Sequence, residues 1–363
     1  MLIRLMICLL GWAACGAVVL WSPPSLHFWY QSDDLILDAL ISVGSPFWAI
    51  FLVIVVHELG HLVMGFCVGF RLNFIRFGPI QISPGFRFSL HPRSRTGADG
   101  WVSMLFGTMD RIRPRFVAMT FGGPLANLVS GFGILFLPGA RGPFLSWFVV
   151  CSITIGLLNL VPFRRLSMIS DGRRILMTMR SGPQGERLIA IMQLVTDLQN
   201  GTASEDLSPD FIAKATAIQD HSPDTVTAHA VAYSAAFYRK NDAEAARVLE
   251  ICLRHSSCAA PVMREALLSD AAAFQARRRK RVDLAEQWLA DMPSQTQTPG
   301  LRLWAEAAIL EARGDVAGAL SKLNDYEAAV LTIRVPSQRE MSLRYLQRWR
   351  SELQSSTTEG KAV

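Results

Sequence analysis

Apolar and polar positions divide this 363-residue chain into two unlike halves. In the first half the apolar residues gather into four runs, 5–21, 47–70, 116–137 and 144–163. Each is close to the ~20 residues that cross a hydrocarbon core as a helix. Between the second and third runs the period changes from helical to alternating. Asn73–Phe77, Ile80–Ile82 and Phe86–Leu90 place apolar residues at every second position, and Gly78-Pro79 and Pro84-Gly85 separate them. That is the pattern of strands joined by turns. Trp101–Met109 is apolar but too short to span, and it reads as an interfacial or re-entrant piece. From about residue 181 the pattern becomes that of consecutive amphipathic helices rich in Ala, Glu, Arg and Gln.

The expected architecture is therefore mainly α. A polytopic membrane helical bundle of about four spans occupies residues 1–180, with a small β-hairpin insertion in the loop 71–114. A helical repeat domain occupies 181–355, and 356–363 form a disordered tail. The first run follows Arg4; Cys15-Gly16-Ala17 is a poor cleavage site, so it reads as a retained span.

Composition adds orientation. The chain carries a net charge of +6, and its arginines cluster beside the apolar runs. Arg71, Arg76, Arg87, Arg93, Arg95, Arg111, Arg113 and Arg115 lie between runs two and three, and Arg164, Arg165, Arg173, Arg174 and Arg180 follow run four. The positive-inside rule puts these segments, the N-terminus and the second half in the cytoplasm, and Asp33, Asp34 and Asp38 on the opposite side. The basic balance is thereby explained by topology, and nucleic acid is not an expected partner. The six cysteines form no disulfide or zinc-ribbon spacing.

The candidate chemistry lies in the second run, which contains His57-Glu58-Leu59-Gly60-His61. Two histidines four apart share one face of a helix, so both rings reach one metal, and the adjacent glutamate is placed to hold a water. Ionisable residues within a span cost roughly 2.5–3.5 kcal/mol each on insertion scales, and a metal site gives them a reason to be there. A catalytic zinc takes three protein ligands. Asp171 is the best candidate for the third, since Asn159 and Pro162 end the apolar helix, the chain bends there, and Asp171 is the only acidic residue in the neighbourhood of that bend.

With these residues in view, the chain resembles the site-2 protease family of intramembrane zinc metalloproteases. His57, Glu58 and His61 match the family's first element. Asn159, Pro162, Asp171 and Gly172 resemble its Asn-Pro and Asp-Gly element, although Asn159 and Asp171 stand further apart than in the commonest form. Gly122-Gly123-Pro124-Leu125-Ala126-Asn127 and Gly100-Trp101-Val102 resemble two further pieces, in family order. The resemblance covers about Phe47–Ile175. It implies one zinc ion on His57, His61 and Asp171, Glu58 as general base, and a membrane-spanning protein segment as substrate.

Asn127 has two readings. It is either a helix-packing amide beside small residues or an amide that binds substrate and steadies an oxyanion; the resemblance favours the second. Asn159 is either a second substrate-binding amide or a plain helix terminator. The strands of 74–90 are either a folded loop or an edge to which an unwound substrate adds as a strand. His27, His91, His221, His229 and His255 lack ligand spacing. Asn200-Gly201-Thr202, on the expected cytoplasmic side, reads as a helix C-cap.

In the second half, Asn241–Ala246, Val282–Glu286 and Gly314–Leu320 echo one another, each opening a helix after one rich in Ala and aromatics. Their spacing brackets the tetratricopeptide period of about 34; the helices are either degenerate repeats of that type, which would offer a surface to a protein partner, or a generic helical bundle. Arg277–Arg281 reads as a solvated helix end and turn. The expected activity is hydrolysis of peptide bonds in or near transmembrane segments, in the lipid bilayer of a bacterial cytoplasmic membrane. The competing expectation is a catalytically idle membrane scaffold that recruits partners through its repeats.

Overall fold

The computed structural model describes residues 26–28, 34–90, 100–139, 141–165, 168–180, 182–296, 298, 300–333 and 336–359. The expected first span and His91 lie outside the described residues. The chain divides into two compact units, residues 1–182 and 183–363, and the described residues are mainly helical, with a four-stranded and a two-stranded antiparallel sheet.

Three described helices of the first unit are long and apolar enough to cross a membrane: α1 (Leu35–Cys67), α2 (Ile112–Phe136) and α3 (Pro143–Leu160). The first does not begin at Phe47, just after Pro46, as the apolar run suggested, but at Leu35. Asp34 caps it, accepting from the amides of Ile36 at 2.9 Å and Leu37 at 3.2 Å, and Pro46 is carried inside the helix. A proline there removes one backbone hydrogen bond. In apolar surroundings, ending the helix would orphan several more. Leu40, Val43, Phe47, Trp48, Phe51 and Val63 of α1 stay exposed, as expected of a face turned to lipid.

Glycines set how closely these helices cross. A Cβ at Gly60 would lie 2.4 Å from the carbonyl oxygen of Gly122, and a Cβ at Gly122 would lie 2.5 Å from that of Gly60. The α1 and α2 backbones therefore touch directly. Arg115, in the first turn of α2, donates to the carbonyls of Val68 at 2.7 Å and Thr108 at 2.9 Å, closing the C-terminal end of α1. Ser152 of α3 donates to the Asn127 carbonyl at 3.1 Å, and a Cβ at Gly131 would meet Ile153 at 2.8 Å.

Between α1 and α2 lies a four-stranded sheet: β1 (Arg71–Phe77), β2 (Ile80–Ser83), β3 (Arg87–Leu90) and β4 (Gly100–Leu105), in the order β3-β2-β1-β4. Ile75 faces Ile82 on β2 and Val102 on β4. Gly78 supplies the positive φ, 55°, that the β1–β2 turn requires. Trp101 is thus part of a strand rather than of an interfacial or re-entrant piece; pairing with β1 satisfies its backbone, which a short apolar segment alone could not do. Among the described residues β4 is an edge, with one side unpaired in the sheet.

After α3 the chain makes a two-stranded excursion, β5 (Arg164–Arg165) against β6 (Met168–Ile169), before α4 (Asp171–Met179). Ser170 pinches it closed. Its hydroxyl donates to the Val161 carbonyl at 2.7 Å and accepts from the Phe163 amide at 3.0 Å, and it also caps α4 by accepting from Arg173 N at 3.2 Å. The long interval between Asn159 and Asp171 is taken up by this hairpin. Gly172 lies so close to Leu160 that no Cβ would fit, so Asp171 returns to the end of α3.

The second unit runs from α5 (Pro183–Gln199) through α6 (Pro209–Thr216), α7 (Pro223–Tyr238), α8 (Asp242–Arg254), α9 (Pro261–Arg277), α10 (Val282–Ala290), α11 (Leu301–Ala312) and α12 (Val316–Leu331) to α13 (Pro336–Glu359). Gly201, with φ of 90°, ends α5 as expected of a C-cap. Asn241 and Asp315 cap α8 and α12 with their side chains, whereas α10 has no side-chain cap. Fully buried alanines, among them Ala272, Ala276, Ala285, Ala307, Ala308 and Ala319, let the helices approach closely. Two expectations change here. Helix α13 continues to Glu359 instead of giving way after residue 355, anchored through buried Leu346, Trp349 and Leu353. Arg277 is not solvated: it pairs with Glu311 and Glu352, both at 2.8 Å, and its guanidinium covers the Trp349 ring at 4.1 Å.

Candidate metal centre

His57 and His61 project from one face of α1, and Asp171 opens α4. His57 Nε2 lies 3.0 Å and His61 Nε2 3.5 Å from Asp171 Oδ2, and the two Nε2 atoms are 3.2 Å apart. Ligand atoms about 2.0–2.1 Å from a tetrahedral ion stand about 3.3 Å from one another, so the triangle has the right size for one ion. These three are the group of His, Cys, Asp or Glu side chains that the described residues bring within ligand distance.

A second observation concerns the space beside them. A Cβ at Gly123 would lie 2.5 Å from His61 Nε2 and 2.9 Å from His57 Nε2. Any side chain there would push into the space that both nitrogens face. The donor set, two imidazoles and one carboxylate, is one that zinc accepts, though other divalent ions accept it too. Burial alone would raise the Asp171 carboxyl, but hydrogen bonds from His57 and His61 overcome it and hold it well below the usual carboxylate range.

Glu58 is buried on α1, 8% exposed. It meets the start of β4, where a Cβ at Gly100 would lie 2.5 Å from Glu58 Oε1. Gly100 therefore leaves room for the carboxylate beside the first residue of β4. Sequence reasoning had no means of giving Gly100 and Gly123 these tasks, because what they avoid comes from distant segments.

The imidazoles are held from behind by α2. His61 Nδ1 is 3.0 Å from the Met119 carbonyl oxygen and 3.3 Å from the Gly123 amide. His57 Nδ1 is 3.2 Å from Asn127 Nδ2. Asn127 is 0% exposed, so it stands behind the metal ligands rather than at a surface open to substrate. Asn159, at the last turn of α3, is partly buried and makes no hydrogen bond to His57, Glu58, His61 or Asp171 among the described residues. His221 and His255 come within 3.4 Å through their Nδ1 atoms in the second unit, with no third ligand beside them among the described residues. The four described cysteines, Cys67, Cys151, Cys252 and Cys258, are all free.

No family model, curated protein or solved structure matches this chain.

Proposed function

We propose that this chain is an intramembrane zinc endopeptidase of site-2 protease type, cutting transmembrane segments of other proteins. The observation that carries the reading is the meeting of His57, His61 and Asp171 at ligand distance, with Glu58 next to the first of them on a helix apolar enough to span a bilayer. Such ionisable groups are costly at that depth unless they hold something.

When bound, the ion supplies Lewis acidity, polarising the scissile carbonyl and making water easier to deprotonate. Glu58 accepts a proton from the attacking water as its oxygen bonds to the carbonyl carbon. It then delivers that proton to the amide nitrogen as the C–N bond breaks, leaving a carboxyl and an amine. A helical substrate hides its carbonyls in its own hydrogen bonds, so it must unwind first. β4, an outer strand of the sheet among the described residues and with Gly100 next to Glu58, suits an extended segment that pairs by strand addition. The helices of the second unit, read as tetratricopeptide-like hairpins in the cytoplasm, serve to engage a protein partner or to select substrates.

Glu58→Gln tests the reading. The variant is expected to keep its metal and to cut a reporter transmembrane segment at least about 100-fold more slowly. Persistent cleavage would remove Glu58 from the chemistry and favour the idle scaffold.

A further inference from the structure

The two imidazoles need more than a metal to stay in place. A histidine that offers Nε2 to an ion keeps its proton on Nδ1, and that N–H needs an acceptor that fixes the ring's tautomer and angle. For His61 the acceptor is the Met119 carbonyl oxygen, 3.0 Å from Nδ1. For His57 the group in reach is the Asn127 side-chain amide, 3.2 Å away. Asn127 Oδ1 is meanwhile buried and has no hydrogen-bond partner. A buried amide oxygen without a donor, next to a ring nitrogen that must donate when the ring ligates, forms a complementary pair.

We propose that Asn127 is a positioning residue for the metal centre, its amide oxygen accepting the Nδ1 proton of His57 and so directing the Nε2 lone pair at the ion. The two ends of the amide are nearly isosteric, and a half-turn about its last torsion exchanges them. The backbone beneath is pinned: the Asn127 carbonyl accepts from Ser130 Oγ and from Ser152 Oγ, both at 3.1 Å. Helix α2 thus steadies both histidines, one through a backbone carbonyl and one through a side chain. The assignment rests on the metal-centre reading, and it differs from a role on the substrate because Asn127 is enclosed.

The test uses the full chain in detergent, stripped with chelator and titrated with Zn²⁺ against a chromophoric competitor. Wild type, Asn127→Asp and Asn127→Leu are compared, the last two close in size to asparagine and differing in whether they accept a hydrogen bond. Asn127→Asp is expected to bind within a few-fold of wild type, and Asn127→Leu roughly 10–100-fold more weakly, with cleavage by the leucine variant recovering at saturating zinc. Equal zinc affinity for all three overturns the proposal. So does cleavage by Asn127→Leu that stays lost at saturating zinc while affinity is normal, since that outcome puts Asn127 on the substrate. Asn127→Asp, which keeps the acceptor, decides the matter if the leucine variant fails to fold: an aspartate variant that folds but binds zinc 10-fold or more weakly also overturns it. Failure of wild type to bind any zinc overturns the metal reading itself and the proposal with it.

Discussion

Both units of this protein pack helices through small residues, but for different ends. In the first unit the small residues are glycines, and they bring polar atoms together: Gly60 and Gly122 join two backbones, Gly123 clears space before His57 and His61, and Gly100 clears space for Glu58. In the second unit they are alanines, and they bring apolar surfaces together, as in the cluster of Ala273, Ala276, Ala285, Ala307, Ala308 and Ala319 around Leu323, Leu346 and Trp349. A close crossing therefore says little by itself. What it encloses separates a site from a core. The first unit brings His57, His61 and Asp171 together, with Glu58 beside them on an apolar helix; in the second unit charges meet in pairs such as Arg277 with Glu311 and Glu352.

The contrast can be broken at Gly123. Gly123→Ala is expected to remove the metal altogether, a larger effect than the roughly 10–100-fold loss typical of an outer partner, with metal analysis of the purified chain as the check. A variant that retains stoichiometric metal would mean the space before the two rings is not where an ion sits. Gly60→Ala comes next. Its Cβ would collide with the Gly122 backbone, so a destabilisation of about 3 kcal/mol is expected, the upper part of the range for overpacking. Thermal unfolding in detergent reads it, and an unchanged midpoint would show that α1 and α2 separate freely.

In the second unit the sharpest handle is Asp270, whose carboxyl is pushed up to about 7 by burial. The native state then holds a proton that the unfolded chain releases near pH 4. Stability is accordingly greatest below about pH 4 in this respect and falls as pH rises toward 7. Three units correspond to about 4 kcal/mol. Asp270 is only partly enclosed by its neighbours, so about 2 kcal/mol is the expected loss. Denaturant unfolding of wild type and Asp270→Asn at pH 5 and 8 tests the sign: the asparagine variant should show the smaller difference between the two. The smallest effect is at a helix cap. Asn241 accepts from Glu244 N at 3.2 Å, and Asn241→Ala should cost about 1 kcal/mol without altering metal content. Metal loss from that variant would mean that the two units are energetically coupled.

Much of this was legible in the chain. The apolar runs gave α1, α2 and α3 to within a few residues at most ends, and alternation gave β1, β2 and β3. The start of α1 was misread because proline is a good helix-breaker in water and a weaker one where leaving the helix exposes backbone to hydrocarbon. Trp101 was misread because a six-residue apolar strand has no period of its own until β1 is there to pair with it. The HExxH spacing placed His57 and His61 on one face, since helix geometry is local. That Asp171 meets them depended on the β5–β6 hairpin and on Gly172 lying against Leu160, contacts between segments that no spacing rule encodes.

The sequence by itself determined the periodicities: which stretches are helices, which residues share a helical face, and which side chains carry ligand chemistry. These follow from backbone geometry and residue type over a few turns. Only the tertiary structure decided which of those side chains converge, that Asn127 lies buried beside His57 Nδ1, and that a Cβ at Gly100 or Gly123 would meet Glu58 or the two histidines. Convergence depends on how segments far apart in the chain pack, and packing is settled by the shapes of both partners at once.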